Sequence, residues 1–141
     1  MTDPDDAMTG GELQTIREYL GLTGEDLARL VEVAPRTVRA WEAGTVPIPT
    51  ARREGRVPVR EAVERLEAFT AAAVDDVVTA ARAAHAAGTQ PAVVVYRTDD
   101  ELHAARPDTE HLPARWWRHV VARAAEQVHG VAIGTRAELE A

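Results

Sequence analysis

The sequence predicts a mainly α-helical protein with a small α+β part towards its C-terminus. Apolar residues recur at helical spacing in three short segments within the first 44 residues. One long amphipathic segment follows, and only the stretch PAVVVYR at 91–97 has the β-branched composition of a strand. The predicted organisation is a leader over 1–8, a helix-turn-helix domain over 9–44, a basic Pro/Arg linker over 45–57, and a long helix with a strand-containing dimerisation region over 58–141.

The composition argues against an enzyme. The 141 residues include no cysteine, lysine, serine or asparagine, which removes thiolate metal sites, Ser and Cys nucleophiles and phosphate-loop lysines. The five histidines show no paired metal-ligand spacing. The adjacent acids Asp75-Asp76 and Asp99-Asp100 fall on different sides of a helix or in turns, so they are poor acid/base pairs. We therefore predict no catalytic residues, no metal and no cofactor.

The charge is unevenly distributed along the chain. The net charge is -7, yet residues 35–60 hold six arginines against two acids. A basic block between two acidic ones predicts a local face that binds a polyanion, and a solvated charged loop is the alternative. The N-terminus is acidic and has no apolar signal region. No apolar run approaches the roughly 18 residues that a membrane span needs. Both observations favour a cytoplasmic protein without membrane contact.

Start and stop signals divide the first 44 residues into three helices. Thr9 can cap the first helix, and Thr23 with Asp26 forms a capping-box pattern for the second. Pro35 suits the first turn of the third helix, and Gly44 suits its left-handed end. The residues predicted to face inwards are Leu13, Ile16, Leu20, Leu27, Leu30, Val31, Val38 and Trp41.

The third helix is left with a small, cationic outer face. Its outward positions are Arg36, Thr37, Arg39 and Ala40. Such a helix fits the major groove of DNA, where Arg donates to guanine and small residues meet thymine methyl groups. The alternative is an ordinary three-helix bundle with two surface arginines.

The stretch ELQTIREYLGLTGEDLARLVEVAPRTVRAWEAG resembles the helix-turn-helix of the Cro/cI (XRE) repressor superfamily, most closely in its RTVRAWEAG ending. The resemblance implies a structural role for Glu42. Two residues depart from the family pattern: Glu32 stands where the turn usually has Gly, and Glu25 places a negative charge where phosphate approaches. The DNA-contacting positions that the resemblance implies are Thr23, Gly24, Pro35, Arg36, Thr37, Arg39 and Ala40.

The segment 45–56 (TVPIPTARREGR) is stiffened by Pro47 and Pro49. It then presents Arg52, Arg53 and Arg56 next to the predicted recognition helix. These guanidinium groups can follow a phosphate backbone or enter a minor groove, or the segment can be a solvated connector. Both interpretations stay open.

The C-terminal part predicts an oligomerisation region. The helix from Pro58 to about Ala87 reaches roughly 40 Å, more than the first domain can cover. The strand needs a partner, which is either the segment 131–133 or the same strand of a second subunit. A helix over about 113–129 carries two adjacent tryptophans, which we expect in a core or interface, with base stacking beside Arg118 as the alternative. The predicted dimer interface comprises Val93, Val95, Tyr96, Trp116, Trp117 and Val120.

The order of parts is similar to the small autorepressors associated with anti-CRISPR operons and their YdiL-type relatives. The matching stretches are ELQTIREYLGL, WEAG, Val57-Pro58, HAAGTQPAVVVYRTDDEL and Trp117-Arg118. This resemblance implies a homodimer that binds an inverted repeat in double-stranded DNA and represses its own operon. The alternatives are an antitoxin whose C-terminal region binds a toxin protein, and a regulator that binds both DNA and RNA. An exposed Trp116–Trp117 patch would favour a foreign partner over a self-interface.

Overall fold

The structure, a computed structural model, describes residues 7–50 and 57–141, and it confirms the predicted fold class. In the described residues no helix combines the length and apolar character that a membrane span needs. The chain divides into two compact units between Ala68 and Phe69. The elements are α1 (Gly10–Tyr19), α2 (Gly24–Leu30), α3 (Pro35–Ala43), α4 (Val59–Ala86), β1 (Ala92–Val94), α5 (Asp99–Ala105), a 3-10 turn (Pro107–Thr109), α6 (Ala114–Gln127), β2 (Ala132–Gly134) and α7 (Arg136–Glu140).

The helices of the first unit begin at the predicted caps. The Thr9 hydroxyl accepts the Glu12 N–H at 3.1 Å at the start of α1. Thr23 and Asp26 form a complete capping box at the start of α2, because each side chain accepts the other residue's N–H. Pro35 occupies the first turn of α3, and Gly44 closes it in the left-handed conformation at φ 77°.

The core of the first unit extends beyond the predicted domain limits. The predicted inward residues Leu13, Leu27, Val38 and Trp41 are buried in one cluster. This cluster also contains residues from the predicted leader, the linker and the long helix, and so the unit ends within α4 and not at Gly44. Arg52, Arg53 and Arg56 lie outside the described residues, and their role stays a prediction. The additional core residues are Met8, Ile48, Val59 and Val63.

Glu32 forms the turn between α2 and α3 in the left-handed conformation, at φ 59°. The Val33 N–H donates to Ala28 C=O at 2.9 Å and the Glu32 N–H donates to Arg29 C=O at 3.3 Å, which is the Schellman end of a helix. The geometry is therefore the one that a glycine provides at this position. A residue with a Cβ there costs about 1–2 kcal/mol.

The second unit contains a two-stranded parallel sheet. β1 pairs with β2 in the register Ala92↔Ala132, Val93↔Ile133 and Val94↔Gly134. This confirms the pairing of the predicted strand with the segment 131–133. The strand limits predicted at 91–97 are wrong, because the Val95 N–H makes the last bond to β2 and Thr98 already caps α5.

Two tryptophans form the centre of the second unit. Trp116 and Trp117 are each 1% exposed. Their indole N–H groups donate to the Thr70 hydroxyl at 2.9 Å and to Val94 C=O at 2.8 Å, respectively. The Phe69 ring stacks on Trp116 at 5.7 Å between centroids. Val120 is equally buried, so these residues form the core of a single chain, which corrects the assignment of Trp116, Trp117 and Val120 to a dimer surface.

Gly10 provides the test of the packing of α1 on α3. A Cβ there would overlap the Trp41 carbonyl oxygen and lie 2.6 Å from that of Glu42. We expect Gly10→Ala to lower the free energy of unfolding by about 1–3 kcal/mol in urea denaturation, because backbone atoms must move. Gly11→Ala is the matched control, since a Cβ at Gly11 meets open space. Because alanine has a higher helix propensity than glycine, this control should raise the free energy of unfolding by up to about 1 kcal/mol. Equal effects of the two substitutions would contradict the close contact.

Glu32 provides the test of the turn. We expect Glu32→Gly to raise the free energy of unfolding by about 0.5–1 kcal/mol, because relief of the left-handed strain exceeds the entropy that glycine adds to the unfolded chain. Glu32→Ala removes the carboxylate but keeps the Cβ, and so it should give no gain. A gain of the same size from both variants in thermal or urea unfolding would assign the effect to charge.

Candidate nucleic-acid interface

The outer face of α3 carries the predicted contact residues. Arg36 and Arg39 are exposed, and Thr37 and Ala40 are half-buried beside them. Arg36, Arg39 and Ala40 are separated by three and four positions, which places them on one side of the helix. Val38 and Trp41 are buried on the opposite side and hold α3 against the core. This face is small and cationic, as predicted.

The arginines of the first unit differ in their partners. Within the described part of the unit, Arg36 and Arg39 have no carboxylate within ion-pair distance, whereas each of the other arginines has one. Unpaired guanidinium groups keep their full capacity to donate to phosphate or to a base. Among the arginines of this unit that the structure describes, the two without a carboxylate partner therefore lie together on α3. The four paired arginines are Arg17 with Glu42, Arg29 with Asp26, Arg60 with Glu12, and Arg65 with Glu61.

Arg17 and Glu42 form a two-point ion pair between α1 and the C-terminal end of α3. The Arg17 Nε and Nη2 groups donate to the two Glu42 carboxylate oxygens at 2.7 and 2.8 Å. Nη1 of Arg17 donates to Leu22 C=O at 2.9 Å. The hydrogen-bonded Glu42 carboxylate raises the pKa of Arg17, although partial burial opposes this shift. The pair fixes α3 relative to the rest of the unit.

The structural role predicted for Glu42 is consistent with this pair, whereas its partner Arg17 was not among the predicted residues. A signal was present in the helical periodicity. Arg17 stands four positions after Leu13 and three before Leu20, so it lies on the buried side of α1. A charged residue on a buried stripe requires a partner of opposite charge.

The start of α2 has a mixed character. Thr23 and Asp26 satisfy each other's backbone N–H groups, which gives Thr23 a structural role in the cap. Gly24 is half-buried and Glu25 is exposed. The contact of phosphate with this helix end stays a prediction. The Glu25 carboxylate opposes such a contact, because it repels the negatively charged phosphate.

The residues predicted for the C-terminal interface separate into two groups. Val93, Val95 and Tyr96 are half-buried on or next to β1. The Arg118 guanidinium donates to Tyr96 C=O at 2.7 Å and fixes the chain after the strand. Since the neighbouring tryptophans are buried, they offer no ring for stacking on a base.

Comparisons of the chain with protein-family models and with curated proteins found no match. The resemblance to Cro/cI-type repressors therefore stays an interpretation of the residues. The described residues also contain no group of three or more acids and histidines that can hold a metal ion.

The Arg17–Glu42 pair is tested by a double-mutant cycle. We expect Glu42→Ala to lower the free energy of unfolding by about 1–3 kcal/mol, because the Arg17 guanidinium loses its two carboxylate acceptors in a partly buried site and keeps only the Leu22 C=O. Arg17→Ala should cost a similar amount, and the double variant should cost less than the sum. Glu140→Ala is the control, because its pair with Arg136 is 3.8 Å long and about 70% exposed on both sides. Additive single effects would contradict the coupling.

Proposed function

We propose that the chain is a cytoplasmic DNA-binding repressor that acts as a homodimer on an inverted repeat and controls its own operon. The observation that carries the proposal is the outer face of α3, where Arg36 and Arg39 are exposed and have no carboxylate partner among residues 7–50 and 57–141. The resemblance of residues 11–44 to Cro/cI-type repressors supports it independently.

The position of each side chain suggests its role on DNA. Arg36 lies in the first turn of α3, and residues near the start of a recognition helix reach base edges in the major groove. Its guanidinium can donate to O6 and N7 of one guanine. Arg39 lies one turn further along, where it can read a base or hold a phosphate. Ala40 leaves room for a thymine methyl group.

A dimer explains how an acidic chain achieves specific affinity. The net charge of -7 opposes approach to DNA, and one α3 helix reads only a few base pairs. Two copies on one operator double the contacts and require half-sites about one helical turn apart, roughly 34 Å. Occupation of such a site next to a promoter represses transcription by excluding polymerase.

The burial of Trp116 and Trp117 bears on the alternatives. An RNA-binding surface needs exposed aromatic and basic residues, and a toxin-binding surface at this place needs an exposed apolar patch. Both indoles are enclosed and hydrogen-bonded within one chain. This favours the repressor over the antitoxin and the dual DNA/RNA regulator.

Footprinting of the purified protein on the DNA upstream of its own coding sequence tests the proposal. We expect protection of an inverted repeat at submicromolar protein in 0.15 M salt, with half-sites about 10 base pairs apart. A scrambled fragment of equal length is the control. Equal protection of both fragments, or none at micromolar protein, would contradict a sequence-specific repressor.

Base reading by Arg36 is tested on the protected site. We expect Arg36→Ala to weaken operator binding by about 1–3 kcal/mol, roughly 5- to 150-fold, and to relax the preference at one base pair per half-site. Arg82→Ala is the control, because Arg82 is exposed on α4 in the second unit and its loss changes the net charge equally. Fluorescence anisotropy with base-substituted operators measures both effects. An unchanged base preference in Arg36→Ala would remove Arg36 from the readers.

A further inference from the structure

A groove of about 430 Å³ lies in the second unit, where it is lined by α4, by β1 and by the segment around the 3-10 turn. The α4 wall is largely alanine, and Asp76 is the charged residue that this helix contributes. Sites for small molecules in proteins have volumes of roughly 300–1,000 Å³ and mostly apolar walls. The groove therefore has the size and the walls of a small-molecule site.

Aromatic residues are concentrated at this groove. Four of the six phenylalanine, tyrosine and tryptophan residues of the chain line it, namely Phe69, Tyr96, Trp116 and Trp117. Phe69 and Tyr96 are only half-buried, so their rings stay partly accessible. The guanidinium carbon of Arg106 lies 3.9 Å from the centre of the Trp117 ring, which shows that a cation can lie against this cluster. Aromatic rings attract organic cations, and quaternary ammonium groups in particular.

The charged residues that line the groove have a negative balance. They are Asp76, Asp108 and Arg106. Within residues 7–50 and 57–141, none of the three has an oppositely charged side chain at ion-pair distance. A ligand that covers an unpaired carboxylate must supply a positive charge, because the carboxylate otherwise loses its hydration without compensation. An anionic ligand would meet one guanidinium but two carboxylates. The charges thus favour a cation.

We propose that this groove binds a small organic cation with an apolar body, of the quaternary ammonium or aromatic amine class. The cationic group pairs with Asp76 and Asp108, and the apolar body packs against the alanines of α4 and the rings of Phe69 and Tyr96. Arg106 is exposed and can turn away when the ligand enters. All lining residues belong to the second unit, so the site does not depend on the DNA-binding role proposed for α3.

The proposal is tested by isothermal titration calorimetry on the full chain, with naphthylmethyltrimethylammonium as the probe. We expect saturable binding of one cation per chain, with a dissociation constant below about 1 mM. Naphthylmethanol has the same ring without the charge and should bind at least about threefold more weakly. Naphthylmethanesulfonate has the opposite charge and should bind more weakly still.

Two pairs of variants locate the probe. Asp76→Asn should weaken binding at least about threefold, because the cation loses a carboxylate. Asp75→Asn is the matched control, since Asp75 is equally exposed on α4 but lies outside the groove lining. Tyr96→Leu should weaken binding about 2- to 5-fold through loss of the ring, whereas Tyr96→Phe keeps the ring and should bind like wild type.

Arg106→Gln tests the sign of the charge that the groove prefers. Binding of the cation should stay equal or become tighter, because the variant removes a positive charge from the lining. A site for anions would instead lose affinity for the sulfonate. Circular dichroism verifies folding, and if Arg106→Gln unfolds the unit, the comparison of cation and sulfonate on the wild-type chain decides the sign.

Three results would overturn the proposal. They are no saturable binding of the cation up to several times the expected dissociation constant, tighter binding of the sulfonate than of the cation, and equal effects of Asp75→Asn and Asp76→Asn. The last result would mean that the net charge of the chain, and not the groove, attracts the probe. Operator footprinting is a separate measurement, so failure of the cation site leaves the DNA-binding proposal to be decided on its own.

Discussion

The orientation of α3 depends on its contact with α1. Two features make this contact: Gly10 allows the start of α1 to approach the last carbonyl groups of α3, and the Arg17–Glu42 pair ties the same helices together further along. The amide end of one helix dipole thereby meets the carbonyl end of another, which is a favourable arrangement. This contact fixes the orientation of α3, and so it determines the direction in which the helix face with Arg36 and Arg39 points.

The same pairing of charges focuses the cationic surface. Among the described residues of the first unit, carboxylates pair with the other four arginines, so that the unpaired positive charge lies on Arg36 and Arg39. At physiological ionic strength charges act over only about 8 Å, and a local face can therefore bind phosphate on a chain that is acidic overall. If α3 reads DNA as proposed, direct contacts from Arg36 and Arg39 should then contribute more to binding than long-range attraction does.

Features that depend on neighbouring residues were predictable from the sequence. The caps at Thr9 and Thr23 and the turns at Gly44 and Glu32 involve partners within five positions, so local pattern contains the information. Contacts between distant residues were not predictable in this way. Arg17 and Glu42 are 25 positions apart, and Thr70 and Trp116 are 46 apart. An apolar tryptophan pair fits a core or an interface equally well in sequence, and only the fold distinguishes them.

The tryptophans also explain how so small a sheet can form. Two strands of three residues bury little surface, but the Trp117 indole donates to the Val94 C=O and Arg106 lies 3.9 Å above the same indole ring. These contacts hold β1 from the side opposite β2. Substitution of Trp117 would remove both contacts at once. We therefore expect the sheet to be lost together with the core that this buried indole fills.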